Sequence, residues 1–259
     1  MDTNQLFNDL AKIAGEFVKT ANDALQSAKI EIKLPESPKI RASHMYMLFT
    51  DSRKKGELSE TTKSLCYQII AREIGALKQW TSRYIEKGVI MEDESIAFVN
   101  QVLQTNYEKN YVSYDGGTIT GTPDIISNDE VIDIKNSFDV ETHIKNITQD
   151  ELHKQYYFQL QSYMLLTNKD KAKVLYVLMP TPDYLLEKQA RALEYKYQDY
   201  DKALETLKLT NEVIASLPNE FRVFEYSIVR DENFLQQFNE RYEPFKLFYQ
   251  TTIKKLKLC

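Results

Sequence analysis

The chain is poor in the residues that cross-link, bend or coat. Its 259 residues include only two cysteines, Cys66 and Cys259, and no CxxC pair. That excludes a disulfide framework and a cysteine-built zinc cage, and it suits a reducing cytosol. Seven glycines and seven prolines are too few for long low-complexity linkers. The three histidines, His44, His143 and His153, have no metal-ligand spacing. No apolar run reaches the length of a membrane span, and the opening "MDTNQLFNDLAKI" lacks the basic start and apolar core of a signal peptide. A cytoplasmic protein without membrane contact is expected. Positive charge is also short. Against 38 Asp and Glu stand 33 Lys and Arg, a net charge of −5. This argues against a protein that simply coats nucleic acid, and leaves room for a local basic groove. Neither GxGxxG nor GxxxxGK[ST] occurs, so the chain carries no dinucleotide fingerprint and no P-loop motor.

What is present is an ordinary globular composition: 42% hydrophobic, 27% charged and 12% aromatic. Leu6, Leu10, Ile13, Phe17, Ala21 and Leu25 recur at helical spacing, and Pro35 and Pro38 then break regular structure. This divides the chain into an amphipathic helical extension, residues 1–35, and one larger domain, residues 36–259. In that domain Ser43 is positioned to cap a short helix. Helices are expected near 59–76 and 81–105. Asp115-Gly116 marks a hairpin, and "SND" at 127–129 turns the chain again, which predicts a three-stranded antiparallel meander. A helix near 152–166 and the apolar strand 173–179 then form a parallel crossover. A solvated helical insertion about 183–217, a strand "RVFEYSIV" and a closing helix from about Asp231 complete the domain. The fold class is α/β (α+β), with a central mixed sheet flanked by helices.

The chemistry concentrates in "GTPDIISNDEVIDIK", residues 121–135. Strand side chains alternate faces, so Asp133 and Lys135 share a face with Val131, while Ile132 and Ile134 point the other way. Asp124, at the end of the neighbouring strand, converges on Asp133. Adjacent carboxylates repel unless a cation lies between them, and hard oxygen ligands without histidine suit Mg²⁺ or Mn²⁺. A surface salt bridge on an edge strand is the alternative.

"GTPD", a turn and "DIK" resemble the signature of the PD-(D/E)XK nuclease superfamily, whose core is that of restriction endonucleases. "KGVIMEDESI" resembles the Gly-x-x-x-Glu helix of that superfamily, through Gly88 and Glu92. "YFQLQSYMLL" resembles its Gln-x-x-x-Tyr helix, through Gln159 and Tyr163. "IRASHMYMLFTDSR" and "RDENFLQQFNERYEPF" are similar to the opening and closing segments of lambda exonuclease and YqaJ-like phage recombination enzymes. The similarity runs in order from Ile40 to Phe245.

The resemblance implies roles residue by residue. Glu92, Asp124, Asp133 and the Ile134 carbonyl hold two Mg²⁺ ions, or Mn²⁺, and Lys135 assists the attacking water. Gln159 holds Lys135 or the scissile phosphate, and Tyr163 borders the site as a DNA contact, although a core aromatic fits that position nearly as well. Ser43 and Arg41 receive a terminal phosphate, and Arg53, with Lys54 and Lys55, tracks the DNA backbone. A plain helix cap, a solvated acidic face at 92–94 and a solvated loop at 53–55 are the respective alternatives. The implied activity is a 5′ to 3′ exonuclease on linear double-stranded DNA, supplying single strands to an annealing protein in phage-type recombination. Its expected setting is a bacterial cell, with a phage origin, and its expected assembly a homotrimeric ring. An endonuclease of restriction, repair or junction-resolving type shares the same signature, as does an inactive DNA-binding or inhibitory relative.

Overall fold

The computed structural model describes residues 34–76 and 83–256. The expected N-terminal helix therefore lies outside the described residues. In chain order the elements are β1 (Ile40–Arg41), a 3₁₀ turn (Ala42–His44), α1 (Met45–Leu48), α2 (Glu60–Glu73), α3 (Arg83–Ile90) and α4 (Glu92–Leu103). There follow β2 (Tyr114–Asp115), β3 (Ile119–Gly121), β4 (Ile125–Ile126), β5 (Glu130–Asn136), α5 (Val140–Ile147) and α6 (Lys154–Thr167). The chain ends with β6 (Lys171–Val177), α7 (Asp183–Tyr197), α8 (Tyr200–Ser216), α9 (Asn219–Arg222), β7 (Val223–Val229) and α10 (Phe234–Lys255).

Two sheets form. The larger has the order β4-β5-β6-β7, with β5 and β6 parallel and both outer pairs antiparallel. This is the expected mixed sheet with a parallel crossover, and helices cover both of its faces. Along β5 the pleat sorts the side chains. Ile132 and Ile134 enter a cluster with Met91, Ile96 and Val99 of the α4 region, whereas Val131 packs with Leu160 and Met164 of α6. Asp133 lies on the α6 side, directly in register with Val174 of β6. A third cluster joins Ile40, Met45, Leu65 and Ile69 to Phe238, Tyr242 and Phe245 of α10. Tyr242 donates to Pro38 O at 2.9 Å, which ties the entry of the domain to its last helix.

Three local expectations are corrected. The meander is split: β3 pairs with both β1 and β2 in a separate three-stranded sheet, and of the meander strands before β5 only β4 pairs with it. Pro123 explains the break, because it has no N–H for a continuing ladder. The single long helix expected at 81–105 is two helices, interrupted at Met91 (φ −86°, ψ 0°). Met91 is buried, and three consecutive acids, Glu92, Asp93 and Glu94, suit the positive N-terminus of a fresh helix. Ser43 caps nothing. It is the middle residue of the 3₁₀ turn, whose cap position is Arg41, and α1 is capped by His44 without a side-chain bond. Ser59, by contrast, caps α2 by accepting from Thr62 N. Among the described residues no helix is long and apolar enough to cross a membrane.

Candidate active site

The site grows from the β4–β5 pairing. Ile125 opposes Ile132 and Ile126 opposes Val131, so extending the register by one residue sets Asp124 opposite Asp133. β4 stops there, which leaves the Ile134 N–H free of a strand partner. Asp124 Oδ2 accepts it at 2.7 Å, and this bond holds the carboxylate against the edge of β5.

Asp133 is 1% exposed. Its Oδ1 accepts from Gln159 Nε2 at 2.9 Å. Its Oδ2 is ion-paired with the Lys135 ammonium. One ammonium faces two crowded carboxyls, Asp133 and Asp124, and a further bound cation would relieve their mutual repulsion. Burial, and then the charge of Asp133, push the Asp124 carboxyl up to about 7. Burial alone would lower the Lys135 ammonium, but Asp133 and Asp124 together overcome it and hold the lysine charged, above its usual range. The Tyr156 ring lies under Lys135, 5.3 Å from Nζ to the centroid.

A cleft of about 460 Å³ opens on this group. Glu92, Asp124, Ile134, Lys135 and Gln159 line it, with Ser43 on its wall. Six of the residues singled out in the sequence thus share one concavity, and Asp133 lies just beneath it. Gly88 also faces the cleft, and a Cβ there would meet nothing within 4 Å, so its lack of a side chain leaves the wall open.

The other candidates fall elsewhere. Gln159 holds Asp133 rather than Lys135. Tyr163 is corrected from a DNA contact to an interior support. It is 5% exposed, its hydroxyl donates to Thr122 O at 3.2 Å, and Gln159 Nε2 donates to it at 3.0 Å. Gly121 is required beside it, since a Cβ there would come within 2.6 Å of Tyr163 Cε1. Arg41 is exposed at the end of β1 and Arg53 is exposed in the following loop, and neither is among the lining residues of the cleft. Lys54 and Lys55 line a separate and larger concavity of about 820 Å³ against α10, whose carboxylates Asp51 and Glu57 pair with Arg241 and Lys54.

The residues fit a divalent metal in part. Asp124, Asp133 and the Ile134 edge are assembled, with two crowded carboxyls. Among the described residues, however, no three acidic, histidine or cysteine side chains are gathered as a cage. Glu92 is drawn aside: Lys109 Nζ is 3.2 Å from Glu92 Oε1 and 2.7 Å from Asp93 Oδ1. The sequence gives no periodic signal for Lys109, which reaches Glu92 from an irregular segment. Tyr156 was findable, because it lies three residues before Gln159 on one helix face.

No protein-family model and no curated protein matches the chain. Solved structures do. A phage related exonuclease from Haemophilus somnus 129PT is 23% identical, with a TM-score of 0.68 over 84% of this chain and 96% of its own. An alkaline exonuclease, LHK-Exo, from Laribacter hongkongensis is 15% identical, with a TM-score of 0.60 over 85% of this chain and 91% of its own. The same enzyme in complex with dAMP gives 16% identity and a TM-score of 0.59, over 86% of this chain and 93% of its own. At such identities the likeness establishes the fold, and the fold is that of these exonucleases along nearly their whole length.

Proposed function

We propose that the protein is a metal-dependent DNA exonuclease of the PD-(D/E)XK superfamily, related to lambda exonuclease and YqaJ-like enzymes and acting 5′ to 3′ on the ends of linear double-stranded DNA. One observation carries the reading: Asp124 and Asp133 face each other beside Lys135 at the cleft, in a fold shared with two exonucleases. An inactive relative would have no need to retain two crowded carboxyls, one of them buried, beside a charged lysine.

In this reading Asp124, Asp133, Glu92 and the Ile134 carbonyl hold Mg²⁺, as two ions, with Mn²⁺ as an alternative. When bound, such metals polarise a phosphate and lower the pKa of a water at neutral pH. The remaining work belongs to the chain. Gln159 fixes the orientation of Asp133. The charged Lys135 ammonium orients the attacking water or offsets the charge that grows on the phosphate. Ser43 Oγ and the Asn136 amide line the same cleft as donors to phosphate oxygens. A homotrimeric ring would keep DNA engaged without a motor, and an annealing protein is the expected recipient of the single strand.

The deciding experiment incubates closed circular and linear duplex DNA with the protein and Mg²⁺. Degradation of linear DNA alone supports the exonuclease. Cleavage of the circle identifies an endonuclease, and no cleavage of either identifies an inactive relative.

A further inference from the structure

Lys87 is 1% exposed and, among the described residues, has no carboxylate within hydrogen-bond reach. Lysine is almost never fully buried unless paired, because removing an ammonium from water is costly. Here the three N–H donors of Nζ are spent on three backbone carbonyls. They reach Met179 O at 2.8 Å, Phe138 O at 3.0 Å and Ser137 O at 3.3 Å. The Phe138 ring lies 5.9 Å from Nζ. These carbonyls belong to the segments that leave β5 and β6, at the end of the sheet where the cleft opens. Burial lowers the ammonium to about 8, and the charge of Asp139 offsets part of that.

The helix that carries Lys87 explains the arrangement. Amphipathic helices are normally held by an apolar stripe. In α3 the side chains described are those of residues 85–90, and Lys87 is the one buried among them. Ile85, Val89 and Ile90 are 55%, 66% and 40% exposed. The ion pair of Glu86 with Lys188, at 2.6 Å, is a surface tie of small worth. Yet α3 forms one wall of the cleft through Ile85, Gly88 and Val89. Its backbone leads straight to Glu92, since Met91 N donates to Lys87 O at 3.0 Å and Met91 is the N-cap of α4.

We propose that Lys87 is a positioning residue: its ammonium, seated on the carbonyls beyond β5 and β6, pins α3 as the cleft wall and thereby sets the place of Glu92. The role in setting Glu92 rests on the reading of that residue as a metal ligand. The anchoring of α3 does not.

Two measurements test it on Lys87→Met, which keeps the length of the side chain and removes its donors. In the metal-free protein, hydrogen exchange of the α3 amides and the first turn of α4 should accelerate at least about tenfold, with α6 unchanged. In cleavage assays the Mg²⁺ concentration for half-maximal rate should rise about tenfold or more, while the rate at saturating Mg²⁺ falls far less. Lys87→Gln, which retains two donors, should recover part of both effects. It also replaces the methionine variant if that one does not fold. Unchanged exchange in α3 overturns the anchor. Acceleration spread evenly over the chain overturns it too, because that marks a purely global role. Faster α3 exchange with an unchanged Mg²⁺ requirement overturns the link to Glu92. If the wild-type protein cleaves no DNA, the functional reading fails, and the exchange result still decides the anchor.

Discussion

Gln159 donates from Nε2 to Asp133 Oδ1 at 2.9 Å, a bond between residues 26 apart in sequence that fixes one oxygen of the acid and leaves the other to the Lys135 ammonium. The same nitrogen meets Tyr163 Oη at 3.0 Å, so the amide is locked from both sides. Gln159→Leu keeps the volume and removes the donor. Cleavage should fall about 10- to 100-fold, as for other residues that orient a metal ligand. Stability should drop about 1–3 kcal/mol, because Asp133 Oδ1 loses its partner in a buried place. Steady-state kinetics and chemical denaturation read the two effects, and a variant as active as the wild type would show that Asp133 needs no such support.

Asp133→Asn and Lys135→Ala address the chemistry itself. Each should reduce cleavage by about 10²-fold or more, with the circular dichroism spectrum retained. EDTA should abolish activity and added Mg²⁺ should restore it. Asp133→Asn should also weaken metal binding measured by calorimetry, whereas Lys135→Ala should leave binding in place and slow the chemical step. Full activity in EDTA would remove the metal from the mechanism.

Ser43 tests the pocket for a terminal phosphate. Its hydroxyl lines the cleft although it caps no helix. Linear duplex with a 5′-phosphate should be degraded faster than the same duplex with a 5′-hydroxyl, and Ser43→Ala should narrow that difference. Arg41 and Arg53 stand outside the lining, so Arg41→Ala and Arg53→Ala should narrow it less. Equal initiation on both ends by the wild-type protein would leave the phosphate pocket without support.

Gly121 and Tyr163 test the scaffold. A Cβ on Gly121 would come within 2.6 Å of Tyr163 Cε1 and 3.1 Å of Ala42 Cβ. Gly121→Ala should therefore cost about 1–3 kcal/mol by overpacking. Tyr163→Phe should instead keep the packing and lose the bond to Thr122 O. Thermal denaturation of both variants separates the steric contribution from the polar one.

Much of this was legible in the sequence because it depends on periods. Alternation along β5 set Asp133 and Lys135 on one face, and helical spacing set Gln159 and Tyr163 on another. The Asp115-Gly116 turn gave the hairpin, but not its sheet, because strand pairing beyond the hairpin is decided by Pro123 and by the partner β1, 79 residues upstream in the pairing Ile40 with Ile119. The break at Met91 was hidden by continuous helical patterning on both sides of it. Lys87 and Lys109 were invisible for a further reason. A lysine in a charged helix or a loop reads as solvated, and only the tertiary fold brings Met179 O or Glu92 within its reach.

The carboxyl of Asp124 makes stability itself depend on pH. Burial first, and the charge of Asp133 second, raise it from 3.8 to about 7. The unfolded chain sheds this proton near pH 4, whereas the folded, metal-free protein keeps it until about pH 7. Between those values the folded state binds more protons, so its stability falls as pH rises, and above about 7 the full penalty is present. At about 1.36 kcal/mol per pH unit the penalty is a few kcal/mol at most. Asp124→Asn removes the titration. In metal-free buffer the variant should match the wild type near pH 4 and become more stable than it by a few kcal/mol near pH 8. Mg²⁺ should reverse the order at pH 8, because a bound cation compensates the two carboxylates in the wild type only. Its apparent affinity should fall up to about tenfold per unit below pH 7, since binding must then displace the proton of Asp124. Denaturation curves at several pH values, with and without Mg²⁺, measure all of this. Parallel pH profiles for the two proteins would mean that Asp124 titrates as an ordinary carboxylate, and the crowded pair beneath the cleft would need another account.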